Sequence, residues 1–185
     1  MVTMQPQGTS EVTIRTTPEK IWALLEDSTR LPEWAKLVKR TTRTTGKLEV
    51  LGAVRECDVE FDGKPGRVVE RCVEYDRHRR IGWLMVEDSL GFSRMLSDLG
   101  FDFVLEPTGQ GETRVLNTTY YRPKGLLAKL LSALVMRRKM RGIRERVLGN
   151  LKRLTEEPTS GDQVEKGNGE TRTGSAPSSE RRAGP

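Results

Sequence analysis

The stretch Cys57-Asp58-Val59-Glu60-Phe61, followed by Asp62-Gly63-Lys64-Pro65-Gly66 and then Arg67-Val68-Val69-Glu70-Arg71-Cys72-Val73-Glu74-Tyr75, reads as two strands joined by a turn. Apolar and charged residues alternate in both arms, the period of two expected of a strand covered on one side only. Gly, Pro and Asp between the arms are the residues that tight turns require. The same pattern repeats down the chain, with strands expected at about 39–45, 50–61, 67–75, 80–87, 92–106 and 112–121. Short turns at 62–66, 76–79, 88–91 and 107–111 force consecutive strands to run antiparallel.

Hairpin pairing can be tested by face, because a one-residue slip exchanges the two sides of a strand. Opposing Val59 to Val69, Val73 to Trp83, Trp83 to Met95 and Phe103 to Val115 suits the turn lengths. It collects odd-numbered residues on one apolar face, among them Cys57, Tyr75, Ile81, Met85, Leu99, Phe101 and Leu105. Even-numbered residues such as Glu56, Asp58, Glu60, Glu70, Glu74 and Asp102 fall on the other, wet face. Gly52 and Gly100 are the expected places for bulges that break this register.

Before the sheet proper, Val12 and Ile14 alternate in a strand at 10–15, and Thr17-Pro18-Glu19 opens a helix. Thr17 is placed to cap it, with Pro18 at the first helical position and Glu19 near the positive helix end. A second short helix carries Leu31, Trp34, Leu37 and Val38 inward. The last element is expected at about 124–156; between Lys124 and Arg153 it holds ten Lys or Arg against one acid, Glu145, which exceeds the net charge of +6 and leaves the rest of the chain slightly acidic. Its apolar stripe shifts between Leu126, Leu127, Leu130, Leu131, Leu134 and a second set, Met140, Ile143, Val147, Leu151, Leu154. A kink or break is therefore expected near 136–139. Residues 1–8 read as a flexible N-terminus, 9–156 as one domain and 157–185 as a disordered tail lacking the apolar surface to fold.

No run is long enough to span a membrane as a helix, and no charged-then-apolar leader is present, so a cytoplasmic location is expected. Cys57 and Cys72 are too few for a Cys-x-x-Cys metal site and are assigned to opposite faces, so neither a metal nor a disulfide is expected. His78, the sole histidine, lies in a turn among arginines. Neither a nucleophilic constellation nor a phosphate-binding glycine loop is present, and no cofactor is implied.

The sequence resembles the START-like superfamily and, within it, the polyketide cyclase/dehydrase-like (SRPBCC) proteins. The likeness is carried by Val12-Thr13-Ile14, by Thr17-Pro18-Glu19-Lys20-Ile21-Trp22, by Leu31-Pro32-Glu33-Trp34, and by Tyr121-Arg122-Pro123-Lys124-Gly125-Leu126-Leu127. It implies an α+β helix-grip fold, in which a curved antiparallel sheet of about seven strands wraps a long C-terminal helix. It also implies a cavity between the two for a hydrophobic ligand such as a lipid, a quinone or a polyketide-like molecule. These motifs are specific for the fold and weak for function.

On the odd face, Trp83, Phe101, Phe103, Tyr75 and Tyr121 are candidate walls, and Met85 and Met95 candidate fillers. Arg55, Arg71, Asn117 and Thr119 intrude as polar groups there. Arg71, with Arg55, Tyr75 and Asn117, is a candidate anchor for a carbonyl, phenolate or carboxylate on the ligand. Alternatively the arginines snorkel to the sheet edge or pair with Glu26 or Asp27. Two further functions stay open: an aromatase/cyclase-type enzyme using Arg71, Tyr75, Asn117 and Tyr121, and a membrane-surface or protein-interaction module. In the latter, residues 124–153 meet anionic lipid, whereas nucleic acid is not an expected partner, because the segment offers no aromatics for base stacking.

Overall fold

The computed structural model describes residues 6–43, 50–126, 130 and 135–157. Strand β1 (Pro6–Ile14) leads into helix α1 (Pro18–Leu25), a 3-10 turn (Ser28–Arg30) and helix α2 (Leu31–Trp34). There follow β2 (Val38–Arg43), β3 (Val54–Phe61), β4 (Lys64–Asp76), β5 (Arg80–Asp88), a short helix α3 (Phe92–Met95), β6 (Leu96–Pro107), β7 (Thr113–Pro123) and helix α4 (Arg137–Glu156). The seven strands form one antiparallel sheet in the order β1-β7-β6-β5-β4-β3-β2, an α+β helix-grip arrangement. β1 starts at Pro6, ahead of the boundary expected at residue 9.

The two arms of the opening stretch are indeed a hairpin, but its turn is shorter than expected. Asp62 (φ 51°) and Gly63 (φ 74°) alone make it, so that Phe61 faces Lys64. Two consecutive positive φ values are the geometry whose twist matches that of the flanking strands. The consequence is that Val59 lies opposite Gly66 and not Val69, and the faces of β4 are exchanged. Val68 and Cys72 become core residues, Glu70 points inward and Arg71 is exposed. Cys57 and Cys72 are thus both buried, correcting their assignment to opposite faces, although no disulfide joins them.

The later pairings also differ from expectation. Trp83 faces Cys72 on β4 and Phe101 on β6, where Val73 and Met95 were expected. Phe103 faces Asn117, and Val115 faces Leu105. Odd parity nevertheless holds inside β3, β5, β6 and β7; two register shifts in the β4–β5 ladder, at Val69/Glu70 and Cys72/Glu74, absorb the mismatch. A further shift between Ser97 and Gly100 lies where a glycine bulge was expected. The expected strand start at residue 92 is instead α3. Both carboxylate oxygens of Asp88 accept backbone N–H groups there, from Phe92 at 2.8 Å and Ser93 at 2.9 Å, which supplies the partners a helix start otherwise lacks.

At the other end of the chain, residues 135–136 adopt a wider turn and α4 then runs unbroken from Arg137 to Glu156, so no break falls within 137–139, part of the stretch where one was expected. Leu127, Leu131 and Leu134 of the first apolar stripe lie outside the described residues. The second stripe behaves as expected: Val147 and Leu151 are buried, and Met140, Ile143 and Leu154 are half-buried. α4 packs chiefly on β1 and α2. Its C-terminal half is tied down by Asn150, whose amide donates to the Trp34 carbonyl (2.9 Å), and Lys152, which donates to the Thr13 carbonyl (2.6 Å). Thr17 occupies the cap position of α1 but makes no side-chain capping bond, and the helix start relies on Pro18 and Glu19. Among the described residues no helix is long and apolar enough to cross a membrane.

A side chain at Gly63 would meet no atom within 4 Å, so the cost of Gly63→Ala is that of the left-handed backbone alone. We expect a loss of about 1–2 kcal/mol by urea denaturation with the fold retained. An unchanged midpoint would mean that the turn has another geometry.

Candidate functional site

Sheet and helix do not fill the space between them. A cavity of about 160 Å³ remains, walled by β2–β7 on the sheet side and by α2 and the first half of α4 on the helical side. Trp34 from α2 meets Phe103 from β6 edge to face, with ring centroids 5.7 Å apart, which holds the helical layer off the sheet. Phe101 and Met85 continue the sheet wall, and Met140, Ile143 and Val147 form the helical one. Phe61 and Phe92 stand edge to face at 5.0 Å where the β3–β4 hairpin, α3 and the start of α4 converge. Lys139 caps this end, lying 5.6 Å from the Phe61 ring and paired with Asp62.

Four polar residues interrupt the apolar lining on the sheet side: Arg55, Glu70, Asn117 and Thr119. Arg55 is 1% exposed and sits directly across from Glu70 on the neighbouring strand. Its Nε donates to Glu70 Oε2 at 2.8 Å; Nη2 lies at the same distance from that oxygen without hydrogen-bond alignment. The guanidinium carbon lies 3.7 Å from the centroid of the Trp83 ring, a desolvated cation–π contact. Carboxylate and indole together explain how a charge survives at this depth. Asn117 donates to the Asp102 carbonyl at 2.8 Å, and no protein donor bonds its amide oxygen among the described residues.

From the helical side comes Arg144, 6% exposed. Its Nε donates to Ser10 Oγ (3.2 Å) and its Nη1 to Thr119 Oγ1 (3.1 Å). Burial pulls its pKa below the ordinary guanidinium value, yet the group keeps its proton at neutral pH.

Of the residues singled out in the sequence, Met85, Phe101, Phe103, Asn117 and Thr119 line the cavity, as does Arg55. Trp83 stands behind Arg55 as its support. Tyr121 is fully buried outside the cavity lining. Tyr75 packs edge-on against Trp22 (5.4 Å) and donates to Glu26 Oε1 at 2.9 Å. Burial first, then that bond, raises its pKa. Met95 is 38% exposed at the end of α3, and Arg71 projects from the outer face of β4. The inward arginine is thus partnered by Glu70, not by Glu26 or Asp27. Glu70 and Arg144 are the residues that sequence reasoning missed. Asp62-Gly63 is a strong two-residue hairpin signal and, so read, would have turned Glu70 inward. Arg144 stands four residues after Met140 and three before Val147, on the apolar stripe itself. No cluster of metal-ligating side chains occurs among the described residues.

A sequence profile for the family described as "Polyketide cyclase / dehydrase and lipid transport" matches residues 5–156. The chain belongs to this family. No curated protein sequence matches it. Among solved structures it is similar to the Zhui aromatase/cyclase from Streptomyces sp. R1128, with TM-score 0.63 and 15% identity over 83% of this chain and 97% of that one. TTHA0849 from Thermus thermophilus gives TM-score 0.63 and 23% identity over 80% of this chain and 94% of the other. A START superfamily protein from Mycobacterium smegmatis gives 0.59 and 15% over 80% and 97%. At these identities the likeness is one of fold.

Removing Glu70 leaves the Arg55 charge buried beside apolar walls. Glu70→Ala should cost about 3–5 kcal/mol in urea denaturation, and Arg55→Met combined with Glu70→Met should recover most of it. A Glu70→Ala protein as stable as wild type would show that the pair does not neutralise a buried charge.

Proposed function

We propose that this protein binds a hydrophobic small molecule, of lipid, quinone or polyketide-like character, in the cavity between sheet and α4. The observation that carries this reading is a 160 Å³ space with apolar walls and a few fixed polar groups. Apolar cavities of about this size take up a benzene-sized molecule. A longer ligand has to place one ring or a short chain segment inside and extend past Phe61 and Phe92. A cyclase-type reaction is less favoured, because three of the four residues expected to work in it, Arg71, Tyr75 and Tyr121, do not line the cavity.

Replacement of Ile143 by Trp fills the cavity from its helical wall. Binding of the neutral fluorescent probe N-phenyl-1-naphthylamine should weaken at least tenfold, with an unchanged circular dichroism spectrum. Equal binding by the folded variant would place the probe elsewhere.

A peripheral membrane contact is supported by a second observation. Leu126 (84% exposed), Leu130 (60%) and Val135 (42%) lie close in sequence to Lys124, Arg137, Arg138 and Lys139. Apolar side chains beside clustered cations are what an anionic bilayer surface attracts. Sedimentation with phosphatidylglycerol vesicles should therefore exceed that with phosphatidylcholine vesicles and fall at high salt; equal sedimentation with both would remove this reading.

A further inference from the structure

Arg144 and Arg55 border the same cavity in different electrostatic states. Arg55 already has its counter-charge in Glu70. Arg144 has only the hydroxyls of Ser10 and Thr119, and among the described residues no carboxylate lies within ion-pair distance of it. Its neighbour Glu145 is exposed and bonded to Arg141 at 2.7 Å. Buried guanidinium groups are ordinarily matched by an opposite charge, since desolvation is otherwise uncompensated. Gly8 packs closely against the guanidinium, since a Cβ there would stand 2.8 Å from Arg144 Nη2.

We propose that Arg144 anchors an anionic group of the ligand, so that the cavity takes a small amphipathic acid, an aromatic or short-chain carboxylate. This rests on the cavity-binding reading above and narrows its ligand class. A carboxylate is the planar acceptor that a guanidinium holds best. Thr119 accepts from Arg144 and so keeps its own proton to donate to the same anion. Ile143 and Val147, on the same helix, are apolar walls for the ring or chain that carries the acid. The volume of 160 Å³ sets the size of that part to roughly one ring.

The test compares benzoate with benzyl alcohol, similar in shape and lacking the charge, by titration calorimetry on the full chain. Wild type should bind benzoate at least tenfold more tightly. Arg144→Met should bind benzoate no more tightly than benzyl alcohol, and its melting temperature should not fall, because it removes a buried unpaired charge. Thr119→Val should weaken benzoate several-fold more than benzyl alcohol, and this variant serves if Arg144→Met does not fold. Benzyl alcohol bound as tightly as benzoate by wild type, or a benzoate preference that survives Arg144→Met, overturns the inference while leaving the cavity-binding reading intact. Failure of wild type to bind either molecule or N-phenyl-1-naphthylamine overturns both.

Discussion

The hairpin between β3 and β4 is closed by Asp62 and Gly63 alone, both with positive φ, and this fixes which residues of β4 face the helix. With the turn as it stands, Glu70 enters the interior directly opposite Arg55. A slip of one residue would set Arg71 against Arg55 and put two guanidinium groups into an apolar space, with Glu70 in water. The side-chain period of a strand allows no intermediate arrangement. The charge balance of the cavity is thus a consequence of turn geometry at the far end of the hairpin. Trp83 completes the arrangement from β5, because its ring covers the face of the Arg55 guanidinium that no carboxylate can reach.

The outer side of the sheet is not uniformly wet, and its exception supports the inside. Asp102 is 1% exposed; its Oδ2 accepts from Arg80 (Nη2, 2.8 Å) and from the Tyr120 hydroxyl (2.9 Å). Burial, then the bond to Asp102, raises the Tyr120 pKa and keeps that hydroxyl a donor. Gly82 makes the room: a Cβ there would stand 2.9 Å from Glu74 Cβ and 3.4 Å from Asp102 Cβ. Asp102 also, through its carbonyl, holds the Asn117 amide on the cavity side. One strand position therefore orders polar groups on both faces of the sheet.

The alternation in β3, β5, β6 and β7 made the sheet and its covered face readable from the sequence, because four strands with one apolar face leave little freedom of register. β4 was misread because its two faces are nearly equal in polarity: Val68 and Cys72 on one side, Val69 and Val73 on the other. Where the pattern is balanced, only the turn decides, and a five-residue loop was assumed where a two-residue one closes the hairpin. α3 was hidden because its signal is a carboxylate, Asp88, four residues ahead of Phe92 and not a periodicity. Arg144 was counted among the charges of a basic segment, and charge counting loses the face on which a residue stands. Met140, Ile143 and Val147 were legible as an apolar stripe, but not as the wall of a cavity, since that depends on how far Trp34 and Phe103 hold the layers apart.

α4 combines these effects unequally along its length. Its C-terminal half buries Leu148 and Leu151, and it is held by the Asn150 and Lys152 bonds and by Glu156, which accepts from the Arg15 backbone at 2.8 Å. The first half presents half-buried Met140 and Ile143 to an unfilled space, with Lys139 and Asp62 pairing at the solvent edge. An exposed ion pair of this kind is worth under about 1 kcal/mol, far less than a buried leucine. Local stability follows buried apolar contact, so the helix is firmest away from the cavity and weakest above it. Arg144 stands near the middle of the helix, and its bonds to Ser10 and Thr119 tie it to β1 and β7 where it borders the cavity.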